Sequence, residues 1–246
     1  MAFLKEMYNE ECGMMNVLIT SLKKEFDKKL AGVFSREGYK VFALGEDQLD
    51  GVTLLGGDLQ KAASALSKDA ALIDIYIDVS DERSALDNFN VRSGLNDQVM
   101  RELYDADVIK PMSMLEAFFP FLEAGGTKRI CFLTAAEASI NEARGTEGYG
   151  YKMAKAGIHN FLQITRNVLA PKGYTIRVYD PCQSSCECAA KAPGADKTAN
   201  AVTAEMAAEA AFNYFTRVRG VERGDPNRDD ETNLVFRDAY GRQHSW

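Results

Sequence analysis

The sequence predicts one doubly wound α/β domain, a mainly parallel sheet of about seven strands with helices on both faces. Three observations carry this. Short apolar runs of strand type alternate with segments of helical periodicity along the whole chain. The first such group, residues 15–44, reads strand, helix, strand, a βαβ unit. No internal repeat or low-complexity segment divides the 246 residues, a length that one core can serve. The domain is therefore expected to span 1–246, with 1–14 as an N-terminal extension, because Met15 opens the first strand and is itself a natural start.

The elements follow in order. Residues 15–20, Met-Asn-Val-Leu-Ile-Thr, form the first strand, and a helix runs from Ser21 to near Gly38. Residues 40–44 and 52–55 are the next two strands, and 59–66 a short amphipathic helix. Residues 72–77 form a fourth strand. A long helical pattern over 97–121, with Leu103, Val108, Met112, Leu115, Phe118 and Phe119 on its apolar face, is interrupted at Pro111, where a kink is expected. The run at 129–134 is a buried strand, 156–169 a helix and 176–179 another strand. An alanine-rich helix opens at Thr203, and 233–236 is the last strand before a tail at 240–246.

Composition narrows the function classes. Hydrophobic residues make up 46% and charged residues 26%, as in soluble globular domains, and the net charge of -7 disfavours a nucleic-acid phosphate surface. No run approaches a membrane span, and the first residues lack the continuous apolar core of a signal peptide. Five cysteines, an odd number, do not describe a secreted disulfide framework, so a reducing cytoplasm is expected. Cys182, Cys186 and Cys188 cluster, but a closed zinc site needs four ligands and His159 and His244 are the only imidazoles, so no metal is expected.

One pair carries the chemistry. Tyr151 and Lys155, four residues apart, fall on one helix face a turn from each other, where an ammonium lowers a phenol's pKa toward neutrality and equips it as general acid or base. The strand at 129–134 before this pair and the Ile176-Arg177-Val178 strand after it resemble the short-chain dehydrogenase/reductase family over roughly residues 15–240. The resemblance implies a Rossmann-like fold, an NAD or NADP cofactor and a small-molecule alcohol or carbonyl substrate. It implies that Tyr151 exchanges the substrate proton while Lys155 holds the nicotinamide ribose. It also implies a homodimer or homotetramer built on the long helices.

Against the family's pattern several positions differ. Its Thr-Gly-x-x-x-Gly-x-Gly phosphate loop aligns from Thr20, with Ser21, Glu25 and Asp27 in place of the glycines, so that Thr20, Ser21 and Phe26 are the loop's candidate cofactor contacts. A phosphate about 5 Å from either carboxylate is repelled by roughly 3 kcal/mol at an effective dielectric near 20. The alternative role for those acids is to stabilise the first turn of a helix. Glu46 and Asp58 fall where the adenosine is held, and Asp78-Val79-Ser80-Asp81 replaces the turn that braces the sheet beside the cofactor. The family's structural asparagine falls at Asp107. Its catalytic serine falls at Ala135 or Ala138, with Thr134 and Ser139 adjacent as substitute hydroxyls. Residues 192–198 lie in the region of its mobile substrate lid. Two functions stay open: an NAD(P)-dependent oxidoreductase, or a non-catalytic relative that has lost the dinucleotide and binds another ligand or a partner.

Overall fold

The computed structural model describes residues 14–70, 72–142, 144–182, 202–217, 230 and 233–246. Cys186, Cys188, the segment 192–198 and nearly all of the extension at 1–14 lie outside these residues.

The sheet has eight strands in the order β3-β2-β1-β4-β5-β6-β7-β8. These are β1 (Asn16–Ile19), β2 (Lys40–Ala43), β3 (Val52–Leu54), β4 (Ile75–Asp78), β5 (Arg129–Leu133), β6 (Thr175–Asp180), β7 (Phe236–Asp238) and β8 (Gln243–His244). All neighbours pair in parallel except β7 with β8. The helices are α1 (Glu25–Arg36), α2 (Leu59–Asp69), α3 (Asp97–Tyr104), α4 (Lys110–Ala124), α5 (Tyr149–Leu169) and α6 (Ala204–Thr216). The extra strand, β8, comes from the C-terminal tail; two residues are too few for a period-2 pattern to show in sequence.

Alternation along the strands sorts the core into two layers. Leu18, Phe42, Tyr76, Ile130 and Phe132 face α4 and α5. Val17, Ile19, Val41, Ile75, Ile77 and Leu133 face α1 and α6. Chain order runs outward from β1 to β3, then restarts at β4 on the other side of β1. The carboxyl ends of β1 and β4 therefore flank the switch point where open α/β sheets bind ligands.

Several element boundaries depart from expectation, among them the start of α5, at Tyr149 and not 156. Helix α1 starts at Glu25 rather than Ser21, because the Ser21 hydroxyl accepts the Lys23 N–H (3.1 Å) and the Asp27 carboxylate accepts the Lys24 N–H (3.0 Å), closing the turn before the helix. Strand β4 begins at Ile75, since Asp74 turns its carboxylate to the N–H groups of Asn16 (2.9 Å) and Gly126 (3.0 Å). The last expected strand, 233–236, forms as β7 at Phe236–Asp238, two residues further on at its end. At Gly125 a Cβ would sit 1.9 Å from the Ile73 carbonyl, so the turn into β5 needs glycine there.

The expected interruption at Pro111 takes the form of a π-turn over Asp105–Ile109, in which the Lys110 N–H reaches back to Asp105. Proline lacks an N–H and crowds the carbonyl four residues earlier. The wider turn relieves that conflict and places Pro111 at the start of α4, where no donor is required.

On the other side of the switch point, β6 and β7 carry a buried ionic group. Asp230 accepts two bonds from Arg237 (2.9 and 2.8 Å) and lies 3.3 Å from Arg177. The C-terminal tail is clamped nearby: His244 sits between Asp238 (3.0 Å) and Glu142 (2.9 Å), and Trp246 packs on His159 and Phe236. Chiefly the hydrogen bond to Asp238, working against burial and aided by Glu142, raises the His244 pKa to about 9.

Candidate active site

Helix α5 presents Tyr151 and Lys155 into the crevice beside the carboxyl ends of β4 and β5. Asp87 fixes the start of that helix. Its carboxylate accepts the N–H groups of Gly150 and Tyr151 (2.9 Å each) and its carbonyl accepts that of Gly148 (2.9 Å). A Cβ at Gly150 would stand 3.0 Å from Leu103 and the Met100 backbone, so glycine permits the close approach of α3.

The tyrosine is held by groups that local sequence patterns did not point to. Its hydroxyl donates to the Asp81 carboxylate at 2.6 Å and accepts from Arg83 at 2.8 Å, whose guanidinium also lies over the ring at 3.9 Å. Arg83 in turn pairs with Glu137 at 3.1 Å. Asp81 is gripped from the other wall as well. The Lys24 ammonium, at the cap of α1, binds its carboxylate at 2.9 Å and its carbonyl. Lys24 follows β1 and Asp81 follows β4, so this ion pair spans the switch point. A second stitch runs beside it, where the Thr20 hydroxyl accepts the Val79 N–H at 3.1 Å.

The expected tuning of Tyr151 is reversed. Its pKa lies well above the ordinary phenol value, first because the side chain is buried and then because the Asp81 charge opposes ionisation, with Arg83 working the other way. Lys155, whose ammonium is 5.7 Å from the ring centre, points elsewhere. It donates to the Ser80 carbonyl at 2.6 Å and lies 3.6 Å from Asp81 and 3.3 Å from Asp107. Burial works to raise the Asp81 carboxyl, but the charges of Lys155 and Lys24 and the bonds from Tyr151 and Lys24 hold it far below its ordinary range.

Asp107 is present in the site, but as an ion-pair partner of Lys155 in place of a relay. Its other oxygen accepts the Glu82 N–H at 2.9 Å, and burial raises its pKa against the pull of Lys155. Neither substitute hydroxyl reaches the tyrosine. Thr134 is bound to His159, whose pKa burial lowers to about 3, and Ser139 accepts the Glu142 N–H at 3.0 Å. Ala135, which has no hydroxyl, packs in the cluster with Tyr151, Val99 and Leu103.

The cofactor side also departs from expectation. Phe26 is turned into the core with Leu30 and Val33 and does not line the crevice. Asp58 caps α2 by accepting the Lys61 N–H at 2.8 Å, while Glu46 is exposed on the loop after β2. Asp27 lies at the start of α1, 1% exposed, and one of its oxygens has no hydrogen bond among the described residues. Burial, against the bond and charge of Lys24, raises its pKa to about 6.

That shift has a stability consequence. The folded state holds the Asp27 proton more tightly than the unfolded chain, so stability is lost as pH rises from the ordinary value of 3.8 through about 6. Asp27→Asn keeps the acceptor for the Lys24 N–H and removes the buried charge. It is expected to melt above wild type at pH 8, by an amount of the order of 2–3 kcal/mol, with the gap closing toward pH 4. Thermal melts of both proteins across that range check it; a gap independent of pH would contradict it.

Beside Tyr151 a cleft of about 500 Å³ opens, lined by Arg83, Asp87, Glu137, Arg144, Tyr151 and Lys152. No metal-ligating cluster occurs among the described residues.

No family model and no curated protein matches the sequence. Solved structures do match in shape. The carbonyl reductase Sniffer of Drosophila melanogaster aligns over 95% of this chain and 100% of its own, at TM-score 0.72 and 13% identity. An NADPH-bound carbonyl reductase from chicken fatty liver covers 95% and 99%, at 0.72 and 13%. A short-chain dehydrogenase from Salmonella enterica serovar Typhi covers 92% and 96%, at 0.68 and 14%. With the parallel sheet order and this agreement in shape, the chain has the Rossmann-like fold of the short-chain dehydrogenases/reductases.

Proposed function

We propose that this protein keeps the short-chain dehydrogenase/reductase fold with its dinucleotide crevice closed by its own side chains, and that it serves as a ligand-binding or interaction module without dehydrogenase activity. The observation that supports this is the tie across the switch point, from Lys24 through Asp81 to Tyr151. The half-exposed Lys24–Asp81 pair contributes up to about 1 kcal/mol, and the charged Tyr151–Asp81 bond about 1.5–3 kcal/mol. A ligand that must break both is weakened by roughly 10²–10³-fold. The loop adds to this, since Ser21, Glu25 and Asp27 withhold the backbone approach that glycine gives a pyrophosphate. Crystals soaked in NADPH test the reading: the crevice is expected to stay empty between Thr20 and Asp81, and continuous nucleotide density there would overturn it.

A second reading is favoured by the retained Tyr151–Lys155 pair and the adjoining cleft. In it the protein is an NAD(P)H-dependent oxidoreductase of small carbonyls or alcohols. Bound NADPH would supply the hydride; Tyr151 would deliver the proton to the carbonyl oxygen and Lys155 would hold the ribose, once Lys24 and Asp81 part.

Under either reading the chain forms a homodimer or homotetramer in the cytoplasm. Ile109, Met112, Ile164 and Val168, all exposed, line an apolar hollow of about 460 Å³ between α4 and α5, and a second copy covers such a face. No helix among the described residues is long and apolar enough to cross a membrane. Light scattering is expected to give a multiple of 27.2 kDa; the monomer mass would refute the assembly.

A further inference from the structure

The grip on Asp81 is that of a binding site on a ligand. One carboxylate oxygen accepts the Tyr151 hydroxyl at 2.6 Å and lies 3.6 Å from the Lys155 ammonium; the other takes the Lys24 ammonium at 2.9 Å. These groups come from two walls of the crevice, the cap of α1 and the first turns of α5, while Asp81 itself reaches in from the loop after β4. Lys155 is 1% exposed and Tyr151 3%, so two of the three groups that face the carboxylate are set in the protein interior and do not depend on flexible surface side chains. Lys24, Lys155 and Arg83 face Asp81, Asp107 and Glu137. Without Asp81 the Lys24 and Lys155 ammonium groups lose the carboxylate they share, and the phenol hydroxyl has no anion to receive it. Asp107 does not fill the gap, because its oxygen toward Glu82 is fixed by the backbone N–H.

We propose that Lys24, Tyr151 and Lys155 form a carboxylate-binding site, that the Asp81 side chain is its built-in occupant, and that a small free monocarboxylate takes its place when that side chain is removed. The inference rests on the reading that the crevice is closed from within, and it identifies the chemistry of the closure. The hollow accepts a planar anion with two oxygens, one directed to a hydroxyl and one to an ammonium, which formate and acetate match and chloride does not.

Asp81→Gly opens the site. Ligands of three or four heavy atoms reach at best millimolar affinity, so acetate and formate at roughly 100 mM are the probes. Either is expected to raise the melting temperature of Asp81→Gly by roughly 3 °C, rising with the logarithm of concentration above the dissociation constant, relative to sodium chloride of equal ionic strength. Wild type should show no such difference, and Tyr151→Phe in the Asp81→Gly background should abolish it. An equal response to chloride, an equal response of wild type, or a response that survives Tyr151→Phe overturns the proposal.

Should Asp81→Gly fail to fold, Asp81→Asn decides, since it preserves shape and removes the charge. Ultraviolet difference titration is then expected to show one tyrosine ionising at lower pH than in wild type, and that phase should vanish in Asp81→Asn/Tyr151→Phe. An unchanged titration would show that the Asp81 carboxylate does not occupy the site. No nucleotide enters these measurements. NADPH binding by wild type would refute the proposed function while leaving the carboxylate site standing, and absent carboxylate rescue would do the reverse.

Discussion

Asp230→Ala is expected to lower stability by about 3–5 kcal/mol, the range for removing one member of a buried ion group. Asp230 is 1% exposed, accepts a forked pair of bonds from Arg237 and lies 3.3 Å from Arg177, which is fully buried on β6. Alanine strips both guanidiniums of the carboxylate they share. Each keeps its charge, because arginine does not deprotonate in proteins, so the cost is the exposure of two like charges to each other in a poorly solvated layer. At about 2–4 °C per kcal/mol for a chain of this size, the melting temperature should fall by roughly 10 °C. Asp230→Asn, which keeps one acceptor, should fall between the two. Chemical denaturation of the three proteins measures this; a loss under about 1 kcal/mol would mean that the other partners of Arg177 and Arg237 carry the group.

The second large effect concerns the crevice. Replacing Ser21, Glu25 and Asp27 by glycine removes side chains and two carboxylates from the turn, letting the backbone and the start of α1 face a pyrophosphate. The structure adds a condition that the turn alone does not meet. Lys24 is held by Asp81, and Tyr151 and Lys155 are engaged with Asp81 and Ser80. The triple glycine variant is therefore expected to gain little by itself, whereas adding Asp81→Ala frees Lys24 for a phosphate and the Tyr151 hydroxyl for a ribose, while Lys155 keeps its bond to the Ser80 carbonyl. Removing a repulsion of a few kcal/mol before screening, together with the tie across the switch point, exceeds the cost of up to about 1 kcal/mol per glycine at the helix start. The quadruple variant should bind NADPH at least about 100-fold more tightly than wild type, a gain of only about 2.7 kcal/mol. Nucleotide fluorescence with circular dichroism as the folding control reads it; no gain in a folded quadruple variant would place the obstruction elsewhere.

The comparison with the sequence follows from the range of each interaction. Strands β1, β2 and β5 were legible because both of their faces are buried, which leaves unbroken apolar runs such as Ile130 to Leu133, and β6 was legible from Ile176 and Val178 although the buried Arg177 stands between them. The Tyr151–Lys155 pair was legible because helical spacing fixes two residues a turn apart. The direction of the tyrosine's tuning was not. It is set by Asp81 and Arg83, about seventy positions away, and an acidic loop at 78–81 gives no local sign that one of its carboxylates lands on a phenol. Asp87, which holds the start of α5, was hidden for the same reason. A loop alignment counts positions and so puts Phe26 at the crevice, while burial turns its ring into the core with Leu30. Asp58 carries an ordinary N-cap pattern, and capping is what it does.

The closed crevice is tested most directly by titrating wild-type protein into NADPH and following nucleotide fluorescence at low ionic strength, where electrostatic attraction is least screened. No saturable change is expected up to protein concentrations of about 10 µM, which is at least about tenfold below the dissociation constants of roughly 100 µM to 1 mM that a 10²–10³-fold loss from micromolar binding leaves. A saturable rise with a dissociation constant in the low micromolar range would contradict it, and would show that Lys24 and Asp81 part readily and that the pair Tyr151 and Lys155 still serves a bound dinucleotide.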